Sequence, residues 1–221
     1  MLEPLKWTSD QLTSDSQRAI EIFRQRRMEE PLEEYLEAFD DYQGYVEELL
    51  ESTVDLSDLD SQLIEVLTDE NLLKAFRYLS GPPISEDDLK TVAEAALAPT
   101  RLRNEPEMAK RVAHVVVNGL DRRRFPWVTE KREPTESERA AAVLASAALL
   151  ATQQQGTSRR NVEKQRQENA VMDALEQTGF TRRDTRKITV LSEAPAPGEF
   201  CGEALLGKRK GDIIVGLWDG R

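Results

Sequence analysis

Three carboxylates in the C-terminal third lie where a hard divalent cation and a phosphate could be held together. Asp212 opens an apolar run, Ile213 to Trp218, and follows Lys208, Arg209, Lys210 and Gly211. Strand interiors favour β-branched and aromatic side chains, so an acid at the start of such a run is out of pattern. A carboxylate there can ligate a divalent cation at the edge of a sheet, and the neighbouring cations suit a phosphate. A solvated Asp beside lysines fits the same residues. Glu168 shares a helical face with Val171, Met172 and Leu175, the face expected to pack on the sheet. Glu168 either points inward near the end of the sheet where Asp212 lies, or sits at the margin of the stripe and reaches water. Glu203, in Phe200-Cys201-Gly202-Glu203, is either a third acid of that site or a solvated loop residue.

Other patterns carry less chemistry. Gly202-Glu203-Ala204-Leu205-Leu206-Gly207-Lys208 fits most of a Walker phosphate loop, but Arg209 stands where Ser or Thr must hold magnesium, and a strand follows where a helix should. It is rejected. His114 lies opposite the apolar stripe of its helix and is read as a surface residue. Cys201 has no base nearby in sequence, which argues against a nucleophile. Arg122-Arg123-Arg124-Phe125-Pro126-Trp127 interleaves cations with aromatics. It either grips phosphates and stacks on a base, or is a solvated run anchored by Phe125 and Trp127.

The elements that must position these residues divide in two. Residues 1–155 read as helices. Thr8 and Gln11 form a capping pattern for a first helix to about Met28, and Pro31 starts a second. Short helices follow near Asp60–Leu67 and Asp69–Leu79. Ser85 with Asp88 opens another, which ends near Leu97 before Pro99. Asn104 with Glu107 caps a helix whose apolar face is Val112, Val115, Val116 and Leu120. Thr135 with Glu138 opens an Ala-rich helix to about Gln155. The character changes at Gly156-Thr157-Ser158-Arg159-Arg160. A separate helix is expected over 162–178, then strands near 188–191 and 212–218 with a loop between. Asp219-Gly220 is a favoured hairpin turn, yet only Arg221 follows, so the fold is expected to stop in mid-hairpin.

Composition narrows the partners. The net charge of −11 is uneven: residues 1–100 hold 8 Lys/Arg against 24 Asp/Glu, and residues 101–221 hold 22 against 17. The second part, at +5, suits an anionic partner, although two ordinary solvated surfaces would look the same. One cysteine excludes an internal disulfide and a Cys-rich zinc site, and the chain reads as cytoplasmic. The longest apolar stretch, Ala140 to Ala151, suits a buried helix better than a membrane span, and no signal peptide is recognisable.

Five stretches together resemble the XamI-type family of type II restriction endonucleases. They are Lys6-Trp7-Thr8, Gly81-Pro82-Pro83-Ile84-Ser85-Glu86-Asp87-Asp88-Leu89, Gly119-Leu120-Asp121-Arg122-Arg123-Arg124-Phe125-Pro126-Trp127-Val128, Thr157-Ser158-Arg159-Arg160-Asn161, and Ala194-Pro195-Ala196-Pro197-Gly198-Glu199-Phe200-Cys201-Gly202-Glu203. That family is similar to the PD-(D/E)xK nuclease superfamily. The resemblance implies an α+β fold: a large N-terminal all-helical region, then the start of a core with a helix beside a mixed sheet. It implies Asp212 as the first acid, with Gly211 in the place of proline, and Glu168 as the helix acid. Asp212 and the Glu of an E-x-K triplet would bind Mg2+, with Glu168 as a further candidate ligand; Glu203, from its place in the loop, stays a third candidate metal acid. The E-x-K triplet would follow Asp219-Gly220 and is missing, so the chain as given is expected not to cut alone. Double-stranded DNA would be the substrate, gripped by Arg122, Arg123, Arg124, Arg159, Arg160, Lys208, Arg209 and Lys210. The helical region would serve DNA grip, dimerisation or both, and a homodimer suits a symmetric site. Two other readings stay open: a fragment that binds DNA without cutting, and a helical protein-interaction module.

Overall fold

The computed structural model describes residues 7–28, 32–184 and 187–217. Its helices begin where side chains satisfy the free N–H groups of the first turn. In α1 (Ser9–Met28) the Thr8 N–H donates to Gln11 Oε1 at 2.9 Å and the Gln11 N–H donates to Thr8 Oγ1 at 3.2 Å. Helix α2 (Leu32–Ser52) buries Tyr42, Val46, Leu49 and Leu50 on one face; Pro31, expected at its start, lies outside the described residues. Asp69 separates α3 (Leu59–Thr68) from α4 (Glu70–Arg77) and accepts the N–H groups of Asn71 and Leu72, each at 2.9 Å. Ser85 caps α5 (Glu86–Val92) by accepting the Asp88 N–H at 3.0 Å. The short α6 (Pro99–Asn104), α7 (Pro106–Asn118) and α8 (Pro126–Glu130) follow.

Helix α5 ends at Val92 and not near Leu97 as expected, and two further boundaries differ from expectation for one reason. Pro99 opens α6 instead of merely following a helix end, and Asn104 ends α6 instead of capping α7, which Pro106 opens. Proline has no N–H to satisfy and its fixed φ suits the first helical position. A larger correction concerns the expected break at Gly156 and the separate helix over 162–178. A single helix, α9 (Glu136–Gln177), runs through both, opened by Thr135 and Glu138. Glycine inside a helix costs only about 1 kcal/mol relative to alanine, and the good helix formers Gln153, Gln154, Gln155, Arg159 and Arg160 flank it. The chain forms two compact units, 1–154 and 155–221, so the division falls within α9.

The first unit has one apolar core, in which Val46, Leu49, Leu50, Val66, Leu79, Leu89, Leu102, Val112 and Phe125 are fully buried. Two polar contacts lock it. The Arg124 guanidinium donates to Asp121 Oδ2 at 2.9 Å, to Ser146 Oγ of α9 at 3.0 Å, and to the carbonyls of Tyr78 and Ser80 at 2.9 and 3.0 Å. Asp55 accepts Trp127 Nε1–H on its carbonyl and Arg139 Nε–H on its carboxylate, both at 2.9 Å. Val54, Asp55 and Leu56 all have positive φ, 48°, 53° and 73°. Non-glycine residues rarely adopt such angles, and the bonds to Asp55 help to hold them there.

The second unit places short strands after α9. β1 (Thr181–Arg182) pairs in parallel with β3 (Glu199–Cys201), which pairs antiparallel with β6 (Ile214–Val215). β2 (Lys187–Ile188) pairs in parallel with β4 (Ala204–Leu206), which pairs antiparallel with β5 (Arg209–Gly211). The architecture is α+β, with the strands shorter and more numerous than expected. The strand expected near 188–191 is reduced to Lys187–Ile188, with Leu191–Glu193 forming a 3-10 turn. That expected over 212–218 is reduced to Ile214–Val215. Trp218 and the Asp219-Gly220 hairpin lie outside the described residues. The expected loop holds a hairpin instead, turned at Gly207-Lys208. Gly207 has φ +63°, which two-residue hairpin turns demand and glycine meets without strain.

Two predictions follow from this packing. A Cβ at Gly156 would meet nothing within 4 Å, so Gly156→Ala is expected to stabilise the helix by about 0.5–1 kcal/mol; a loss of stability in guanidinium unfolding would show that α9 is not continuous there. Arg124→Met is expected to cost about 3–5 kcal/mol, because it strands Asp121 and several buried acceptors. An unfolding midpoint near that of the parent would remove Arg124 from the framework.

Candidate active site

The two antiparallel ladders of the second unit share one register. Phe200 pairs with Val215 and Cys201 with Ile214; then, after a gap, Ala204 pairs with Gly211 and Leu205 with Lys210. The parallel partners keep one offset as well, Thr181 with Glu199 and Lys187 with Leu205. Residues 199–206 and 209–215 therefore run as one antiparallel ribbon interrupted in the middle, with β1 and β2 each alongside one half of it. The interruption falls at Gly202-Glu203 on one strand and at Asp212-Ile213 on the other, so Glu203 lies opposite Asp212. Like charges directly across a ladder destabilise it, so this position calls for a cation.

Lys164 of α9 supplies it. Its Nζ lies 3.2 Å from Asp212 Oδ1, 3.3 Å from Glu168 Oε1 and 3.8 Å from Glu203 Oε2. Lys210, on β5, adds a second contact to Glu203 Oε2 at 2.6 Å. Helix α9 is brought to the ribbon by Met172, one turn beyond Glu168. Met172 is buried, and its Sδ would lie 3.5 Å from a Cβ built on Gly202. Glu168 is the most enclosed of the acids, 16 % exposed, and its buried Oε1 has the Lys164 charge beside it without a directed hydrogen bond. Asp212 and Glu203 are open to solvent, 63 % and 48 % exposed. The Lys164 ammonium is held above its ordinary pKa, first by Asp212 and then by Glu168.

The arrangement thus gathers all three acids singled out from sequence around one ammonium. Among the described residues, no group of three or more His, Cys, Asp or Glu side chains is set to hold a metal ion as it stands. Lys164 was not singled out. Its signal was the Lys164–Glu168 spacing, which puts the two on one helix face, but a lysine on a polar stretch reads as solvated.

The cations proposed to face DNA divide between the units. Arg122 and Arg123 are exposed on the first unit. Arg124 is turned inward, its side chain 13 % exposed and its donors engaged within the fold. Phe125 and Trp127 are buried and meet edge-on, ring centroids 5.5 Å apart, so they anchor the loop and are not offered to a base. In the second unit Arg159 and Arg160 are exposed on α9, where Arg160 Nε donates to the Gly156 carbonyl. Lys208, Arg209 and Lys210 are exposed at the turn and strand leading to Asp212. His114 is exposed and hydrogen-bonded to Asn118 at 2.8 Å. Cys201 is buried in the ribbon, and burial pushes its thiol pKa up, which disfavours the thiolate.

Comparison with known proteins places this geometry in context. The model of the XamI restriction endonuclease family matches residues 55–221, a span that contains Lys164, Glu168, Glu203 and Asp212. The chain is 37 % identical over 227 residues to the type II restriction enzyme XamI of Xanthomonas campestris pv. amaranthicola, covering 99 % of this chain and 80 % of that enzyme. No solved structure matches the chain.

Proposed function

The chain belongs to the XamI restriction endonuclease family, and on that premise we propose that it carries a Mg2+-dependent centre for hydrolysing phosphodiester bonds at a specific site in double-stranded DNA. The observation that carries the reading is the convergence of Asp212, Glu168 and Glu203 on a single positive charge. Three carboxylates around one cation are the hard oxygen donors that magnesium takes. The buried, loosely held Glu168 Oε1 has capacity for a stronger partner. Asp212, Glu168 and Glu203 would hold the ion. Bound there, it would offset charge on the scissile phosphate and lower the pKa of a water.

The chain's own residues do the rest of the positioning. Lys208, Arg209 and Lys210 lie beside Asp212 in sequence and would bind the phosphate backbone next to the acids. Arg122 and Arg123 would add phosphate contacts from the first unit, and Arg159 and Arg160 from α9. Arg124 is spent inside the fold and is left out of this set. A second copy of the chain would bring a second centre to the opposite strand of a symmetric site.

Asp212→Asn is expected to weaken Mg2+ binding by about tenfold or more in calorimetry. Its affinity for duplex DNA without metal should hold or rise, because a negative charge is lost. Unaltered Mg2+ binding would remove Asp212 from the centre. The double variant Arg122→Glu/Arg123→Glu is expected to weaken duplex binding and to lower the slope of log affinity against log salt by roughly 2. An unchanged affinity and slope would take this loop out of the DNA interface.

A further inference from the structure

Among the described residues Lys164 is the cation that reaches all three acids, whereas Lys210 reaches Glu203. We propose that Lys164 is the built-in counter-ion of the metal centre, holding the three carboxylates together in the metal-free protein and giving way when a divalent cation enters. The inference rests on the reading of these acids as metal ligands, and it adds a role for a residue that no ligand set includes.

Three observations support it. First, the shared register puts Glu203 opposite Asp212, and Glu168 faces the same point from α9, so the group needs positive charge whether or not a metal is present. Secondly, the ammonium and a bound cation cannot occupy the same point. Distances of 3.2–3.8 Å from Nζ to three carboxylate oxygens put Lys164 at the centre of the group. Thirdly, Lys164 can leave at little cost. It is 48 % exposed, and its charge sits on a flexible four-carbon stem, so it can turn to water without any change in α9. Its contact with Glu168 Oε1 is ionic and not a directed hydrogen bond, which a metal–oxygen bond would improve on. The affinity of the centre for metal is therefore a difference: the carboxylates' attraction for the divalent ion, less their attraction for Lys164.

Removing the competitor should tighten metal binding. Mn2+ binding to the full chain can be followed by the electron paramagnetic resonance of the free ion, for the parent, Lys164→Met, Lys164→Gln and Asp212→Asn. Lys164→Met and Lys164→Gln are expected to bind Mn2+ about tenfold more tightly than the parent. In thermal unfolding both should be less stable than the parent without metal and should gain more from saturating Mn2+. Lys164→Gln keeps length and polarity, so it carries the test should the Met variant fold poorly. If the parent binds Mn2+ through Asp212 but the Lys164 variants bind it equally or more weakly, the counter-ion role falls and the metal centre stands. If neither the parent nor the Lys164 variants bind Mn2+, both readings fall.

Discussion

Placing two carboxylates face to face across a ribbon is the constraint on which the second unit depends. The register that pairs Phe200 with Val215 and Leu205 with Lys210 leaves Glu203 opposite Asp212, and the regular ladder lapses between the two flanking pairs. Electrostatics then dictates what surrounds the lapse: Lys164 from α9 and Lys210 from β5. Close backbone approach keeps the ribbon in place around it. The Gly216 N–H donates to the Glu199 carbonyl at 2.8 Å and its own carbonyl accepts from Gly198 at 3.0 Å. A Cβ at Gly216 would lie 2.1 Å from the Ala196 carbonyl oxygen, so no other residue fits without moving backbone. Like charges at this position lower local stability, which the two lysines offset.

The first unit is organised differently. Its core is extensive and apolar, and its polar contacts are internal ties: Arg124 joins the Asp121 turn, the Tyr78–Ser80 carbonyls and α9, while Asp55 joins α2, α8 and α9. The Arg124 tie uses one charged side chain to satisfy a hydroxyl and backbone carbonyls that would otherwise be buried without partners, and the Asp55 tie uses both the carbonyl and the carboxylate of one residue. Of three consecutive arginines, Arg124 is the one turned inward because Asp121 lies three residues before it and pairs with it.

That distinction marks the limit of what was legible in the sequence. Helix starts at Thr8, Ser85 and Thr135 were readable because capping is a local matter of side chain and backbone within four residues. Asp212, Glu168 and Glu203 stood out as acids misplaced in apolar or loop patterns, and the structure brings them together. Lys164 did not stand out, because a lysine on a polar helix surface looks the same whether it meets water or three carboxylates. The strands β3 to β5 were read as loop, since two or three residues carry no alternation to detect. Gly156 was over-read as a breaker, for its small intrinsic cost is outweighed by the helix formers on both sides. In each miss, a partner distant in sequence or the summed preference of neighbours decided the outcome.

The slight core of the ribbon has a consequence for its motions. Its buried residues are Ile188, Phe200, Cys201 and Ala204, with Ala194 and Ile214 packed beside them, so it holds one large apolar side chain, whereas opening α2 or α4 must expose Leu49, Leu50, Leu72 and Phe76. Each such leucine or phenylalanine side chain resists exposure by about 1.5–3 kcal/mol. Amide hydrogens of the ribbon therefore exchange with solvent through small local excursions, while those beneath the first unit's core wait for rarer, larger ones. Pairing in the ribbon is thus held by few apolar contacts, and its order is set locally and not by a shared core.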